Sequence, residues 1–256
     1  MLEANIREVP EFEMIVDIDH SPLAAKAGSS MRPSHILIWS DPVLEAAILK
    51  HGPLVAVDLP MRVLAFEVQG TRKAAVITNG YEYVADRHSL PDDETIRRRS
   101  TAAITLAMKS IPDSAIASFP VNSMTDAGLV ILDSPFDFAT TEVRKLDAIN
   151  AESDVVIFGK VGFAARSKKL GITLEPMLLI LFCAPGPGGK AMESAPTLGL
   201  DAFCQKLLIW QVAGGTVHVT FNDLLALANR QDVSGELPLH FINRRLKRTF
   251  SAALEK

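Results

Sequence analysis

The sequence predicts an α+β protein built as two tandem repeats. Each is a mostly antiparallel sheet with helices on one face, and the two are paired pseudo-symmetrically. Three observations predict this. Strand-like runs in residues 34–87 recur in the same order in residues 177–230. Glycine and proline dominate the identities between the copies, as shared backbone geometry requires. The strand-like runs are short and joined by hairpin-length turns, which favours antiparallel pairing.

Element by element, residues 12–18 read as a strand, ended by Asp19-His20-Ser21-Pro22. Residues 23–27 read as a helical turn closed by Gly28. Residues 35–39 are too short an apolar run for a helix and read as a buried strand. Pro42, with Asp41 as N-cap, opens a helix that Gly52-Pro53 stops. Residues 61–68 and 74–78 form a hairpin, and a short helix runs to Arg87. Residues 92–109 carry an apolar stripe at helical spacing through Ile96, Ala103, Ile104 and Ala107. In the second copy, residues 128–132 read as a strand and 136–151 as a helix, a pair with no expected counterpart ahead of residue 12. The later strands follow at 155–161, 177–183, 206–212 and 217–221, with a closing helix at 239–254. Pro187-Gly188-Gly189 predicts a poorer helix after Pro185 than after Pro42. The expected division is a first repeat at 1–112, lacking its first strand and helix, a linker at 113–126, and a complete second repeat at 127–256.

The matches are residue by residue. Lys26, Gly28 and Pro33 fall on Lys169, Gly171 and Pro176. Pro42, Pro53 and Asp58 fall on Pro185, Pro196 and Asp201. One extra residue near Phe203 follows; then Leu64, Val68 and Gly70 fall on Leu208, Val212 and Gly214. Val76, Asn79, Ala85 and Arg87 fall on Val219, Asn222, Ala228 and Arg230. Such a long period marks a duplicated domain, not a solenoid.

The chain has 256 residues, 48% hydrophobic and 22% charged, which is ordinary globular composition. A net charge of −4 argues against a nucleic-acid partner. Cys183 and Cys204 sit in apolar runs without a Cys-x-x-Cys spacing, so a reduced, cytoplasmic chain is expected. No apolar run approaches a membrane span, and no secretory signal is visible at the start.

These residues resemble the bacterial domain of unknown function family 302. The first copy shows Ile18-Asp19-His20, Lys26, Gly28, Pro33, Pro42, Val57-Asp58-Leu59-Pro60, Asn79 and Ala85-Asp86-Arg87-His88. The second keeps Lys169, Gly171, Pro176, Pro185, Leu200-Asp201, Asn222 and Arg230. It has Val161-Gly162-Phe163 for the tripeptide and Gln231 for the final His. The resemblance implies a fold similar to the TATA-binding-protein-like class. It implies no activity and no cofactor, and the fold name does not import DNA binding.

The candidate ligand-binding residues are Asp19, His20, Lys26, Asp58, His88, Lys169 and Asp201. A His beside a carboxylate can act as a base or a metal ligand, so Asp19 and His20 together with His88 are the sharpest set. The simpler reading has His20 bonded at a strand end and His88 closing a helix. Recurring Lys26/Lys169 and Asp58/Asp201 read as charges lining a pocket in each copy, or as solvated lysines and turn-capping aspartates. Arg97-Arg98-Arg99 and Arg244-Arg245 with Lys247-Arg248 read as a phosphate surface or as solvated helix faces. The thiols read as small hydrophobes before a redox pair. Residues 185–190 lack phosphate-loop spacing. Trp39, Phe66 and Trp210 read as core. No catalytic or metal-ligand set is assigned. The first expectation is therefore a non-catalytic ligand-binding or assembly protein, with a small molecule or a second copy as partner. The alternative is a metal-binding protein or enzyme using Asp19, His20 and His88.

Overall fold

In the computed structural model, which describes residues 1–119, 128–233 and 237–255, matched glycines and prolines set the same local geometry twice. The first repeat runs α1 (Leu2–Arg7), β1 (Glu13–Asp19), α2 (His20–Lys26), β2 (Ser34–Ser40), α3 (Pro42–Leu49), β3 (Met61–Glu67), β4 (Ala74–Thr78), α4 (Tyr81–Arg87), α5 (Glu94–Met108) and β5 (Ile116–Ala117). The second runs β6 (Leu129–Ser134), α6 (Phe138–Asn150), β7 (Val156–Gly162), α7 (Phe163–Lys169), β8 (Met177–Cys183), α8 (Pro185–Ser194), β9 (Gln205–Gln211), β10 (Val217–Asn222), α9 (Leu224–Arg230) and α10 (Leu237–Ala252). Gly28 and Gly171 turn the chain after α2 and α7 with φ of 74° and 75°. The Pro33 and Pro176 carbonyls accept from Glu67 N and Gln211 N, each at 3.0 Å. Pro42 and Pro185 open α3 and α8, and Pro53 and Pro196 open the 3-10 helices Pro53–Asp58 and Pro196–Leu200.

Two five-stranded sheets result, in the orders β1-β2-β3-β4-β5 and β6-β10-β9-β8-β7. Every pairing is antiparallel except β4 with β5. The first repeat is less reduced than the sequence suggests. Helix α1 packs on α5, with Asn5 Nδ2 donating to the Ala107 carbonyl at 3.0 Å. In the second repeat Lys145 of α6 reaches the Phe250 carbonyl of α10 in the same way. So α1 holds in the first repeat the place that α6 holds in the second. The edge that β6 fills beside β10 is filled beside β4 by β5, from within the stretch read as linker. Residues 120–127 lie outside the described residues. Helix α8 is longer than α3, ten residues against eight, despite its glycines.

Alternation along the strands divides the core. Ile36, Ile38, Leu64 and Ile77 of the first sheet and Leu179, Leu181, Leu208 and Trp210 of the second join one shared cluster. The intervening Leu37, Trp39 and Val63 pack with Ile6 and Ala107 of α1 and α5. Leu178, Ile180, Leu207 and Ile209 pack with Ile149, Ile242 and Phe250 of α6 and α10. Helices cross between repeats too: α2 packs on α8, and α3 on α7. Gly189 makes the first contact possible, since a Cβ there would lie 2.6 Å from Ala24 Cβ. Gly186 and Gly189 thus make room for the first repeat, while Gly188 makes room for Phe203 of its own repeat.

Candidate functional site

Two features stand out among the described residues: a buried polar network where the repeats meet, and an apolar cavity beneath α10. The network grows from Asp58 and Asp201, each at the end of a 3-10 helix or just past it and each nearly inaccessible. Arg62, at the start of β3, donates through Nη2 to Asp58 Oδ1 at 2.7 Å and to Asp201 Oδ1 at 2.6 Å. Arg87 at the end of α4 meets Asp58 Oδ2 at 2.9 Å, and Arg230 at the end of α9 meets Asp201 Oδ2 at 2.7 Å. Each arginine then crosses to the other repeat. Arg87 Nη2 donates to Asn222 Oδ1 at 2.7 Å, and Arg230 Nη2 donates to Asn79 Oδ1 at 2.8 Å. His88 Nε2 lies 2.7 Å from Asp58 Oδ2, and Lys206 Nζ donates to the Asp201 carbonyl at 3.1 Å. Arg230 also stacks on Tyr83, 3.6 Å from the ring centroid.

Burial pushes both carboxyls up, but the cations outweigh it. Arg87, His88 and Arg62 hold Asp58 well below the usual carboxylate range. Arg62, Arg230 and Lys206 hold Asp201 below it. Burial first, then Arg62, lowers Lys206 to about 7. These side chains satisfy most of each other's hydrogen-bonding groups, Arg230 Nε and the Tyr83 hydroxyl excepted, and the voids beside them hold only about 20 and 10 Å³, as suits a structural junction.

The structure therefore brings Asp58, His88 and Asp201 together and leaves the other candidates apart. Asp19 caps α2, accepting from Ser21 N at 3.1 Å. His20 is buried against α8, lining a small void with Leu23, Cys183, Gly188 and Met192. Its Nε2 has no partner among the described residues, and burial lowers its pKa to about 4. The set of Asp19, His20 and His88 does not converge, and among the described residues no group of three or more His, Cys, Asp or Glu could hold a metal ion. Lys26 and Lys169 are exposed at the ends of α2 and α7 and line no described cavity. Asp58 and Asp201 anchor the repeat junction, and each also borders a small void, of about 20 and 10 Å³. Sequence reasoning found the matched Asp, Asn and Arg positions but missed their convergence. It also missed Arg62 and Lys206, whose signal was a matched cation entering an apolar strand.

Other sequence features are absorbed into packing. Arg97 pairs with Asp92, Arg99 with Asp41, Arg245 with Glu152 and Asp154, and Lys247 with Asp223. Both thiols are free and buried, and burial raises their pKa values, Cys204 to about 12, which leaves them unreactive.

The cavity, about 380 Å³, lies in the second repeat beneath α10. Phe241, Ile242, Arg245, Leu246, Thr249 and Phe250 present one helical face to it, at spacings of three and four residues. Ile149 and Val155 form one wall, Phe182 the floor, and Pro187 and Lys190 of α8 another wall. The first repeat closes it with Ala27, Gly28 and Ser29 after α2. Of these lining positions the sequence drew attention only to Arg245, as part of a phosphate surface, and to residues 185–190, for a weak phosphate-loop likeness; the apolar ones carried no signal, because helix-face apolar residues look the same over a cavity as over a filled core.

Residues 1–107 and 130–253 match the domain of unknown function DUF302. The chain belongs to this family. Both repeats are thus DUF302 units. Among solved structures, the chain is similar to an uncharacterized conserved DUF302 protein from Bacillus stearothermophilus. The identity is 16% and the TM-score 0.41, over 50% of this chain and 95% of that one. Among curated proteins it is similar to Fluoride-specific ion channel FluC 1 of Brucella suis biovar 1 (strain 1330), 32% identical over 114 residues, or 44% of each chain. The Fluoride-specific ion channel FluC 1 of Brucella abortus biovar 1 (strain 9-941) matches at 32% over 44% of this chain and 42% of its own. The match spans less than half the length of these curated relatives. Among the described residues of this DUF302 chain, no helix is long and apolar enough to cross a membrane.

Proposed function

We propose that this chain is a non-catalytic binding protein that holds a small, largely apolar molecule beneath α10. The observation that carries this reading is the cavity of about 380 Å³ walled by Ile149, Val155, Phe182, Ile242, Leu246 and Phe250. Its size falls within the range of small-molecule pockets, and its lining is apolar with few polar groups, as such sites are. The chain's strongest concentration of ionisable groups lies elsewhere, closed on itself at the repeat junction, which favours binding over catalysis. Ion conduction, the activity in the relatives' names, is not part of this reading, since the similarity covers less than half of this chain.

The test is titration with a neutral solvatochromic dye such as Nile red. Saturable one-to-one binding is expected, with displacement by decanol and loss in Ile242→Trp, whose indole fills the space. Absence of saturable binding, or equal binding by Ile242→Trp, contradicts the proposal.

A further inference from the structure

We infer that the cavity takes an amphipathic anion, such as an aliphatic carboxylate, with its head at Lys190 and Ser29 and its tail toward Ile149 and Val155. The inference rests on the ligand-site reading of this cavity and adds the chemistry of what it holds.

The lining is electrically lopsided. At the α6 and α10 end, Arg245 is fully engaged. Its Nη2 donates to Glu152 Oε2 at 2.6 Å and its Nη1 to Asp154 Oδ2 at 2.7 Å, while Thr249 Oγ1 donates to Glu152 Oε1 at 3.0 Å. One guanidinium there faces two carboxylates, so this end repels an anion. At the α8 end the balance reverses. Lys190 is exposed at the mouth, with no hydrogen bond or ion pair among the described residues, even with Glu193 one turn further on.

Beside it, Ser29 lines the cavity and is 7% exposed, and its Oγ has no hydrogen-bond partner among the described residues. Its closeness to α8 is direct: a Cβ on Gly189 would stand 3.3 Å from Ser29 Oγ. Gln205, 6% exposed on the cavity floor, also has no partner for its side-chain amide among the described residues. A buried hydroxyl left without a hydrogen bond is costly. A carboxylate oxygen would satisfy Ser29 and meet the Lys190 charge at once. Between the two ends the walls are apolar. The volume corresponds to roughly a dozen water-sized groups, which suits a chain about as long as decanoate.

The experiment is isothermal titration of the full chain at pH 7 with decanoate, decanol and decylamine, using the wild type, Lys190→Gln and Ser29→Ala. Decanoate is expected to bind more tightly than decanol, and decylamine more weakly than either. Lys190→Gln, a change at an exposed position, should weaken decanoate about two- to fivefold and leave decanol unchanged. Decanol binding as tightly as decanoate, or a Lys190→Gln variant that holds decanoate like the wild type, overturns the anion inference and leaves the cavity reading standing. Failure of all three molecules to bind overturns both.

Discussion

Arg87 of the first repeat donates to Asn222 of the second at 2.7 Å, and the symmetry-matched Arg230 donates back to Asn79 at 2.8 Å. Each arginine also holds the aspartate of its own repeat. The crossing is reciprocal, so the repeats are joined through side chains of the same type at the same positions. Double-mutant cycles read this directly. Arg87→Met with Asn222→Ala is expected to show a coupling of about 1–3 kcal/mol in urea unfolding, and Arg230→Met with Asn79→Ala a coupling of similar size. Additive effects in both cycles would mean that the crossing contacts carry no energy.

Removing one carboxylate from the junction leaves a buried guanidinium without its counter-charge. Asp201→Ala is expected to lower stability by about 3–5 kcal/mol, since Arg230 loses its carboxylate and Arg62 keeps only Asp58. Lys169→Ala, at an exposed helix end, should stay within about 0.5 kcal/mol. Comparable losses from the two would remove the distinction drawn between these recurring charges.

His20 sets one limit on acid stability. Its pKa is about 4 in the folded protein against 6.5 for an ordinary histidine. Between those values only the unfolded chain binds the proton. The contribution is therefore complete above pH 6.5 and is lost as pH falls toward 4, by on the order of 3 kcal/mol. Unfolding free energies of wild type and His20→Asn, measured from pH 7.5 to 3.5, should differ in slope over that window. Parallel profiles would show that the imidazole is not held neutral.

Glu45 acts with the opposite sign. It is buried in α3, and burial raises its pKa to about 8 although Ser40 and Arg166 both act to lower it. The unfolded chain ionises this group near 4.5. Stability is thus complete below that value and falls as pH rises toward 8, by on the order of 5 kcal/mol. Glu45→Gln should raise Tm at pH 8 and flatten the alkaline slope; a Tm lowered at pH 8 would contradict this. Between pH 4.5 and 6.5 the His20 and Glu45 slopes oppose each other, so the single variants separate what the wild-type profile merges.

Gly189 tests the helix crossing between repeats. Alanine has the better helix propensity by about 1 kcal/mol. Its Cβ, however, would stand 2.6 Å from Ala24 Cβ, a methyl group with no rotamer to yield. Gly189→Ala is expected to lower stability in spite of propensity, with an overpacking cost of about 1–3 kcal/mol. A more stable variant would show that α2 and α8 can separate without penalty.

Much of the fold was legible because backbone geometry leaves marks on sequence. Gly28 and Gly171 need the left-handed region, and Pro42 and Pro185 need a helix start; spacing alone reveals such residues. Helix α1 was not legible, since LEANIR is a single short turn pair whose stability comes from docking Ile6 and Asn5 on α5. Strand β5 was hidden because two residues of parallel pairing carry no periodicity. For the site, the matched Asp58, Asp201, Asn79 and Asn222 were visible as identities. Their meeting across the pseudo-symmetry axis depends on tertiary assembly. The Asp19-His20 pair drew attention by residue type, yet the chain uses one as a cap and buries the other. The cavity left no mark, because Ile242 and Leu246 follow the same apolar stripe whether or not the space beneath them is filled.

The central claim is that an apolar molecule lodges under α10, and methyl NMR of the full chain titrated with decanol tests it most directly. The methyl signals of Ile149, Val155, Ile242 and Leu246 should shift together and saturably, while those of Ile36, Leu64 and Leu208 in the shared core stay in place. Stationary signals from the four cavity residues, with or without movement elsewhere, would contradict the account.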